Sequence, residues 1–464
     1  MVDFAANEKV DHYSLFFPDP FGVPEHMAAY GLTEEDIERG IGYDGSSIRL
    51  SQEINESDML LVPDISTAFV DPFNDKFSQL NIICNSRDPI TQGGYSRDPR
   101  HIAQKAEGYL KGTGIADTVF IGPEMEFHIF DDIMYLVDPL HSFYQIVSHE
   151  SPNAAAMRNN SGPRAGFKEG YFPAPPIDTL NDIRCEMASI LRKIGIEPEA
   201  HHHEVSTSGQ NEIDIKYSTL VKSADNVMML KYVVKNVARR HGKHAIFMPK
   251  PIFEDNGSGM HVHSSLWSGG NPLFHKAGNY ANLSELGLHY IGGLLQHAPS
   301  LLAICAPTTN SYRRLIPGFE APVNLTYSRR NRSAAIRIPM VREDSPAAKR
   351  VEFRPPDPTA NPYMAFSAIL MAGLDGIENN IDPGEPVDED IYKLPSDRRK
   401  GIPSTPGSLE DALRALEQDH GYLLKGGVFS RDFLLAYIDR KHEKEINPMK
   451  AKPHPDEFRL YAPL

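Results

Sequence analysis

The chain has 464 residues, 41% hydrophobic and 23% charged, with a formal net charge of −15. This balance is globular, excludes wholesale disorder, and allows a large core and more than one domain. The acidic excess repels a phosphate backbone and no Lys/Arg cluster offers a compensating groove, which excludes a nucleic-acid partner. Cys84, Cys185 and Cys305 lack CxxC spacing and suit structural thiols in a reducing compartment. Met1–Asn7 lacks a basic region followed by an apolar run, and no stretch of about 18 apolar residues occurs, so a soluble cytoplasmic protein with no membrane partner is expected.

Taken in order, residues 1–95 read as strands and loops. His12–Phe17 and Phe77–Cys84 have strand composition, and Leu32–Arg39 is a short polar helix opened by Thr33. Between them, Tyr43-Asp44-Gly45-Ser46-Ser47 is a turn signal, and local turn chemistry accounts for Asp44. Gly93–Pro99 reads as a boundary: Asp98 caps a helix with Pro99 at its first position, and Gly112 is the expected stop. The division expected is residues 1–95 and 96–464. Val119–Phe130 is an apolar strand whose Glu124 and Glu126, at period two, share a face. His141–Phe172, through Asn159–Gly162, has no durable periodicity and reads as a long functional excursion ending at Tyr171. The helix after Asp182 carries Ile183, Met187, Ile190, Leu191 and Ile194 inward and stops at Gly195.

Glu199–Glu212 contains a Ser-Thr-Ser-Gly turn. A hairpin folded near Ser208 sets Glu204 opposite Glu212, and two facing acids repel unless a cation lies between them. All-oxygen ligands favour a hard ion, Mg²⁺ or Mn²⁺; a solvated hairpin with ordinary surface acids is the alternative. A helix over Ser218–His241 turns Leu220, Ala224, Val227, Leu230 and Val234 inward, with Met228 and Met229 as core filling. Asn256-Gly257-Ser258-Gly259 is a glycine loop running into a strand on which His261 and His263 face one way. Tyr312–Pro322, with Arg314 and Glu320, reads as a mobile loop. Arg329–Arg337 reads as a basic strand, and Arg350, Glu352 and Arg354 alternate with period two. Asn361 and Pro362 start an apolar helix, and Ser408–Asp411 is a capping box.

Glu124, Glu126, Glu204, Glu212, Glu352 and His261 all fall on expected strands or hairpin edges. An inward-facing acid on an apolar strand carries a large desolvation penalty unless paired or metal-bound. Six such groups suffice for two divalent ions, and Arg332, Arg337, Arg350 and Arg354 suit phosphates. The alternative is a set of unrelated ion pairs. No P-loop and no Gly-x-Ser-x-Gly elbow occurs, and carboxylate-bound metals with arginines point to phosphoryl transfer.

Asp44-Gly-Ser-Ser, Gly122-Pro-Glu-Met-Glu126, Glu199-Ala-His-His-His-Glu204, Gly209-Gln-Asn-Glu212, Asn256-Gly-Ser-Gly-Met-His261, Asn310-Ser-Tyr-Arg-Arg314, Asn331-Arg-Ser and Glu352-Phe-Arg354, in this order, resemble bacterial class I glutamine synthetase. The resemblance implies an α+β protein: an N-terminal β-grasp domain, a catalytic domain with a curved antiparallel sheet, and a homododecamer of two hexameric rings with shared active sites. It implies ATP-dependent ligation of ammonium to glutamate through γ-glutamyl phosphate, with two Mg²⁺ or Mn²⁺ per site. Glu126, Glu204 and Glu212 would hold one metal, and Glu124, His261 and Glu352 the other. Asn256, Gly257, Arg314, Arg337 and Arg354 would contact glutamate. Glu199, Tyr217, His263, Ser265 and Arg350 would surround ATP, and Arg332 would stabilise the transferring phosphoryl group. Ammonium would sit near Asp44, Tyr171, Glu212 and Glu320, with Asp44 as proton acceptor. Ile391-Tyr392-Lys-Leu-Pro resembles the modification site of the adenylylatable subclass, which implies an adenylyltransferase partner. The chain departs from the family at Arg49-Leu50-Ser51-Gln52, where an aromatic is usual, and at Val341–Ala347, a longer segment with Ala347 where a nucleotide-side lysine is common. A γ-glutamyl-amine ligase and a non-catalytic structural homologue are the competing readings.

Overall fold

A computed structural model of the chain describes residues 10–50, 57–152, 163–342 and 345–464. Met1–Asn7, Ser51-Gln52, the Asn159–Gly162 turn and part of Val341–Ala347 therefore lie outside the described residues, as does the side chain of Tyr392. The first strands are β1 (His12–Pro18), β2 (Pro24–Ala29), β3 (Ile41–Asp44), β4 (Asp58–Pro63), β5 (Phe69–Val70) and β6 (Gln79–Arg87). They form one sheet in the order β2-β1-β6-β4-β3, with β5 against β6. β1 and β6 run parallel while the other pairs are antiparallel. The helix Glu34–Arg39 lies in the connection between β2 and β3, and Thr33 opens it with a capping box, as its sequence requires. Period-two alternation splits β1 between two cores: Leu15 and Phe17 join Leu61, Leu80 and Ile82, whereas Phe16 turns to the main core and meets Tyr232 edge-on at 5.5 Å.

The remaining strands are β7 (Thr118–Phe130), β8 (Asp132–Val137), β9 (Ser142–Val147), β10 (Pro198–His203), β11 (Gln210–Ile215), β12 (Ser218–Thr219), β13 (His244–Ile246), β14 (Met260–Ser268), β15 (Asn271–Pro272), β16 (Asn324–Arg329), β17 (Ala334–Ile338) and β18 (Val351–Phe353). Ten of them build a curled half-barrel sheet along β10-β11-β7-β14-β18-β17-β16, giving an α+β chain with a β-grasp unit in front. On β7, Val119, Ile121, Met125, Phe127 and Ile129 enter the core, which leaves Gly122, Glu124 and Glu126 on the opposite face. Helices Leu220–Arg240, Glu285–Cys305 and Pro362–Glu378 contribute their apolar faces to that core. The last two cross closely because Gly293 meets the Ala372 backbone, where an added Cβ would lie 2.1 Å from the carbonyl oxygen. Among the described residues no helix is long and apolar enough to cross a membrane.

Several expected boundaries move. The helix opened by Asp98 runs through Gly112 to Thr113, because Gly114, at φ 72°, is the residue that takes the left-handed cap. Part of the His141–Phe172 excursion is β9, which pairs with β8 in a two-stranded ribbon. Both strands are largely solvent-facing, so no buried face imposes a period on the sequence. Ser218 and Thr219 pair with β7 before the long helix begins at Leu220. The basic stretch Arg329–Arg337 is not one strand: Arg329 ends β16, Ala334–Arg337 lie in β17, and Arg332 falls in the turn between them, which Arg330 opens at φ 74°. Ser311–Arg314 is a helical turn rather than the start of a loop. Cys84 and Cys305 are buried, and burial pushes both thiols up; Cys185 is exposed, so it is not a core thiol.

Candidate active site

The sheet register assembles the acids. Across β11, β7, β14, β18 and β17, Glu212 pairs with Glu126, Asp214 with Glu124, Glu124 with His261, His263 with Glu352, and Glu352 with Arg337. Each pair shares one face, so residues spread over 228 positions of sequence become lateral neighbours at strand spacing. The β10–β11 hairpin differs from the expected register by two residues. Its register sets His202, not Glu204, opposite Glu212, and centres the reversal on Thr207. Gly209 decides this: at φ 91° it presses against the Ile129 carbonyl, where a Cβ would lie 2.4 Å from the oxygen. Glu204 sits diagonally on the same face as Glu212, its backbone N–H bonded to the Gln210 carbonyl at 2.9 Å.

Two donor clusters result. Glu124, His263 and Glu352 present ligand atoms within 4.8 Å of one another, and so do His202, Glu204 and Glu212. Carboxylates with one imidazole per cluster form a donor set that fits a hard or borderline divalent cation. Glu126 and His261 lie between the clusters. His261 Nδ1 is 2.9 Å from Glu124 and its Nε2 is 3.9 Å from Glu126. Glu126 also accepts from the Gly259 N–H at 2.9 Å and the Gln210 amide at 3.0 Å.

The protonation preferences mark the same place. Burial, reinforced by neighbouring carboxylates, raises Glu204 to about 8 and lifts Glu212 well above the usual range. Burial also raises Glu126 to about 7 against the pull of Arg314. Burial opposes ionisation of Glu124 too, but hydrogen bonds with His261 and His263 outweigh it and hold its carboxyl well below the usual range. Glu352 is likewise buried, yet Arg354 and His263 bring it down to about 2. The acids of one cluster thus repel one another and favour an added cation, whereas those of the other are already compensated.

The ion-pair alternative holds for half of the four arginines. Arg337 Nε and Arg354 both donate to Glu352, the latter at 2.5 Å. Arg332 and Arg350 pair with no carboxylate among the described residues: Arg332 lies beside Tyr171, and Arg350 donates to His263 Nδ1 at 3.1 Å. Arg314 is buried and donates to the carbonyls of Pro355 and Arg354 at 2.8 and 3.2 Å. Gly257 and Gly259 make room for it, since a Cβ on either would come within 2.9 Å of the Arg314 side chain.

These groups line a polar cavity of about 130 Å³ that brings together Glu124, Glu126, Tyr171, Glu204, Glu212, Asn256, Gly257, His261, Arg314, Glu320, Arg332, Arg337 and Arg354. Glu352 is wholly buried at its edge. His263, Ser265 and Arg350 continue the face toward an aromatic end, where Phe120 packs edge-on to Tyr217 and Trp267. Glu199 stands at a bulge in β10, exposed. Asp44 does not line this cavity. Its carboxylate caps its own turn, accepting from the Ser46 N–H at 2.9 Å and hydroxyl at 2.6 Å, and those bonds lower its pKa. Tyr392 falls in the short 3₁₀ turn Ile391–Lys393. Sequence reasoning missed His202, Gln210 and Phe319. His202 and Glu204 are two apart beside an antiparallel partner, a signal hidden within the triple-histidine run.

Comparison with known proteins places this geometry. The glutamine synthetase β-grasp domain family matches residues 9–89, and the glutamine synthetase catalytic domain family matches residues 96–461. Glutamine synthetase of Frankia alni is 53% identical over 99% of this chain and 98% of its own, and that of Aquifex aeolicus is 52% identical over the same shares. The cryo-EM structure of Plasmodium falciparum glutamine synthetase superposes with a TM-score of 0.91 at 29% identity, covering 99% of this chain and 98% of that one.

Proposed function

Since the chain belongs to the glutamine synthetase family, we propose that it joins ammonium to L-glutamate at the expense of ATP, giving glutamine, ADP and phosphate. The observation that carries this reading is the row of Glu212, Glu126, Glu124, His261, His263 and Glu352 across adjacent strands, with Arg314 and Arg332 facing it. Glu126, Glu204 and Glu212, with His202 beside them, would hold one divalent ion, and Glu124, His261 and Glu352, with His263, the other. Mg²⁺ or Mn²⁺ bound there supplies charge neutralisation for the phosphates and the reacting carboxylate.

Arg314, Arg354, Gly257 and Asn256 would seat glutamate, and the close packing of Gly257 on Arg314 sets how near the substrate backbone comes. The γ-carboxylate oxygen attacks the ATP γ-phosphorus, forming a P–O bond as the bond to ADP breaks. Arg332, free of any carboxylate among the described residues, spreads the developing charge. Arg337 lies beside it, while Glu199, Tyr217, His263, Ser265 and Arg350 flank the nucleotide. Ammonium binds near Tyr171, Glu212 and Glu320, loses a proton to Asp44 and attacks the γ-carbonyl carbon as ammonia; phosphate leaves, taking up the second proton that the new amide nitrogen sheds. Asp44 caps a turn outside this chain's cavity, so a neighbouring subunit supplies it, as in a dodecamer of two stacked rings. Tyr392 would be the adenylylation site in the cytoplasmic enzyme. Phosphate release from ATP with glutamate, with and without ammonium, tests the reaction: ammonium should raise it strongly and glutamine should accumulate. A higher kcat/KM with ethanolamine or a polyamine would overturn the choice of ammonium.

A further inference from the structure

A second cavity, of about 540 Å³, lies outside the active site, where the β1–β2 turn Pro20–Pro24 meets the helices Leu220–Arg240, Pro362–Glu378 and Arg431–Lys441. Its charged lining is Arg49, Lys231, Lys235, Arg440, Lys441 and Lys444 against Glu445, in a chain whose net charge is −15. Lys441 pairs with Glu445, Lys444 with Glu443, and Arg49 with Asp19 at 2.5 Å. Lys231, Lys235 and Arg440 have no carboxylate at ion-pair distance among the described residues. Lys231 and Lys235, four residues apart on one helix face, both stand over the Phe247 ring at 5.7 and 5.8 Å. Like charges at that spacing repel, and a buried ammonium with no anion is costly. Burial and Lys235 accordingly push Lys231 down to about 7, with the buried Asp357 pulling the other way.

We propose that this cavity binds a phosphate-bearing metabolite of nucleotide size, at a site separate from the reaction centre. Its volume suits a ligand of that size. Lysines are four of the seven charged residues in the lining, and ammonium groups act as compact point charges for phosphate oxygens. The aromatic wall suits a planar base: Phe21 stacks on Tyr437 at 5.8 Å, with Arg49 and Lys441 over its ring at 5.3 and 5.1 Å. The wall is also preformed. Asn361 donates to the carbonyls of Asp19 and Pro20 at 3.0 and 3.3 Å, and Gly22, at φ 79°, leaves no room for a Cβ against the Asn361 backbone at 2.9 Å. A ligand there bridges the small sheet and the helices of the large core.

Calorimetric titration of the intact, Mg²⁺-saturated protein with inorganic pyrophosphate tests this, alongside the double variant Lys235→Glu, Lys444→Glu. Both side chains are exposed, and neither belongs to the reaction centre. Wild type should show one more pyrophosphate site per chain than the variant, or binding at least about tenfold tighter, the effect of losing one charged hydrogen bond. Pyrophosphate should raise the Tm of wild type and not of the variant. Turnover without pyrophosphate should be the same in both. Equal stoichiometry and affinity in the two proteins would overturn the site. Binding of tricarballylate, a trianion without phosphorus, as tightly as pyrophosphate would overturn the phosphate class.

Discussion

Replacing Glu352 with Gln keeps its shape and removes its charge. The carboxylate is wholly buried, receives Arg337 Nε and Arg354 Nη1, and lies 4.0 Å from His261 Nδ1. Losing the charge strands the guanidinium of Arg354, which is buried and whose Nε already has no partner. Breaking a buried pair from one side costs about 3–5 kcal/mol. Arg337 is only partly buried and recovers some solvation, so the low end, about 3 kcal/mol, is expected. Unfolding entropy scales with chain length, and for a chain this long that loss lowers Tm by about 3 °C. Activity should fall further, since Glu352 belongs to a donor cluster with Glu124 and His263: about 10²- to 10³-fold in kcat, the range for removing one preorganised charge-stabilising group. Phosphate release with saturating ATP, glutamate and ammonium reads the first effect, and differential scanning calorimetry the second. A kcat within twofold of wild type would remove Glu352 from the reaction centre, and an unchanged Tm would show that its two arginine contacts contribute no net stability.

Gly257→Ala puts a methyl 2.5 Å from the Pro249 carbonyl oxygen and 2.9 Å from Arg314 Cγ. The strain, about 1–3 kcal/mol, should appear as a raised KM for glutamate with that for ATP unchanged; equal shifts in both would refute a glutamate-side role. Phe319, next to Glu320, is held by Lys168 and Lys250, whose ammonium groups lie 4.1 and 3.9 Å from its ring. Phe319→Ala forfeits about 1–2 kcal/mol of that clasp and should raise phosphate release in the absence of ammonium several-fold; unchanged coupling would show that the clasp does not guard the intermediate. His297 bonds Asp419 and Asp375 at 2.8 and 2.9 Å; burial disfavours its charge, but the two acids win and raise its pKa. Its stabilisation is therefore full below the unfolded value of about 6.5 and lost as pH rises through the folded pKa. His297→Gln should cost about 2 kcal/mol at pH 5.5 and less at pH 9, and a loss independent of pH would contradict this. Asp44→Ala and Glu352→Ala subunits, each nearly inactive, should regain activity in co-expressed hybrids if Asp44 serves a neighbour. Tagged hybrids no better than the sum of the parents would place Asp44 in its own chain's site.

The local chemistry of the elements was legible in the residues themselves. Thr33, Asp98, Asn361 and Ser408 each cap the helix that follows, because a capping oxygen needs only the next two or three N–H groups. Period two put Glu124 with Glu126 and His261 with His263 on single faces, and the core stripe of Leu220–Arg240 followed from helical spacing. Register was decided by tertiary contact. The contact of Gly209 with Ile129 moved the hairpin register two residues and brought in His202, and no property of Glu199–Glu212 alone contains that constraint. The pairing of Glu352 with His263 and Arg337 joins strands far apart in sequence, and Asp44, read locally as turn chemistry, remains a turn cap within its own chain. Alternation and capping are short-range and written in neighbouring residues. Which strand lies beside which, and which acids end up sharing a charge, depends on how the sheets and helices pack against one another.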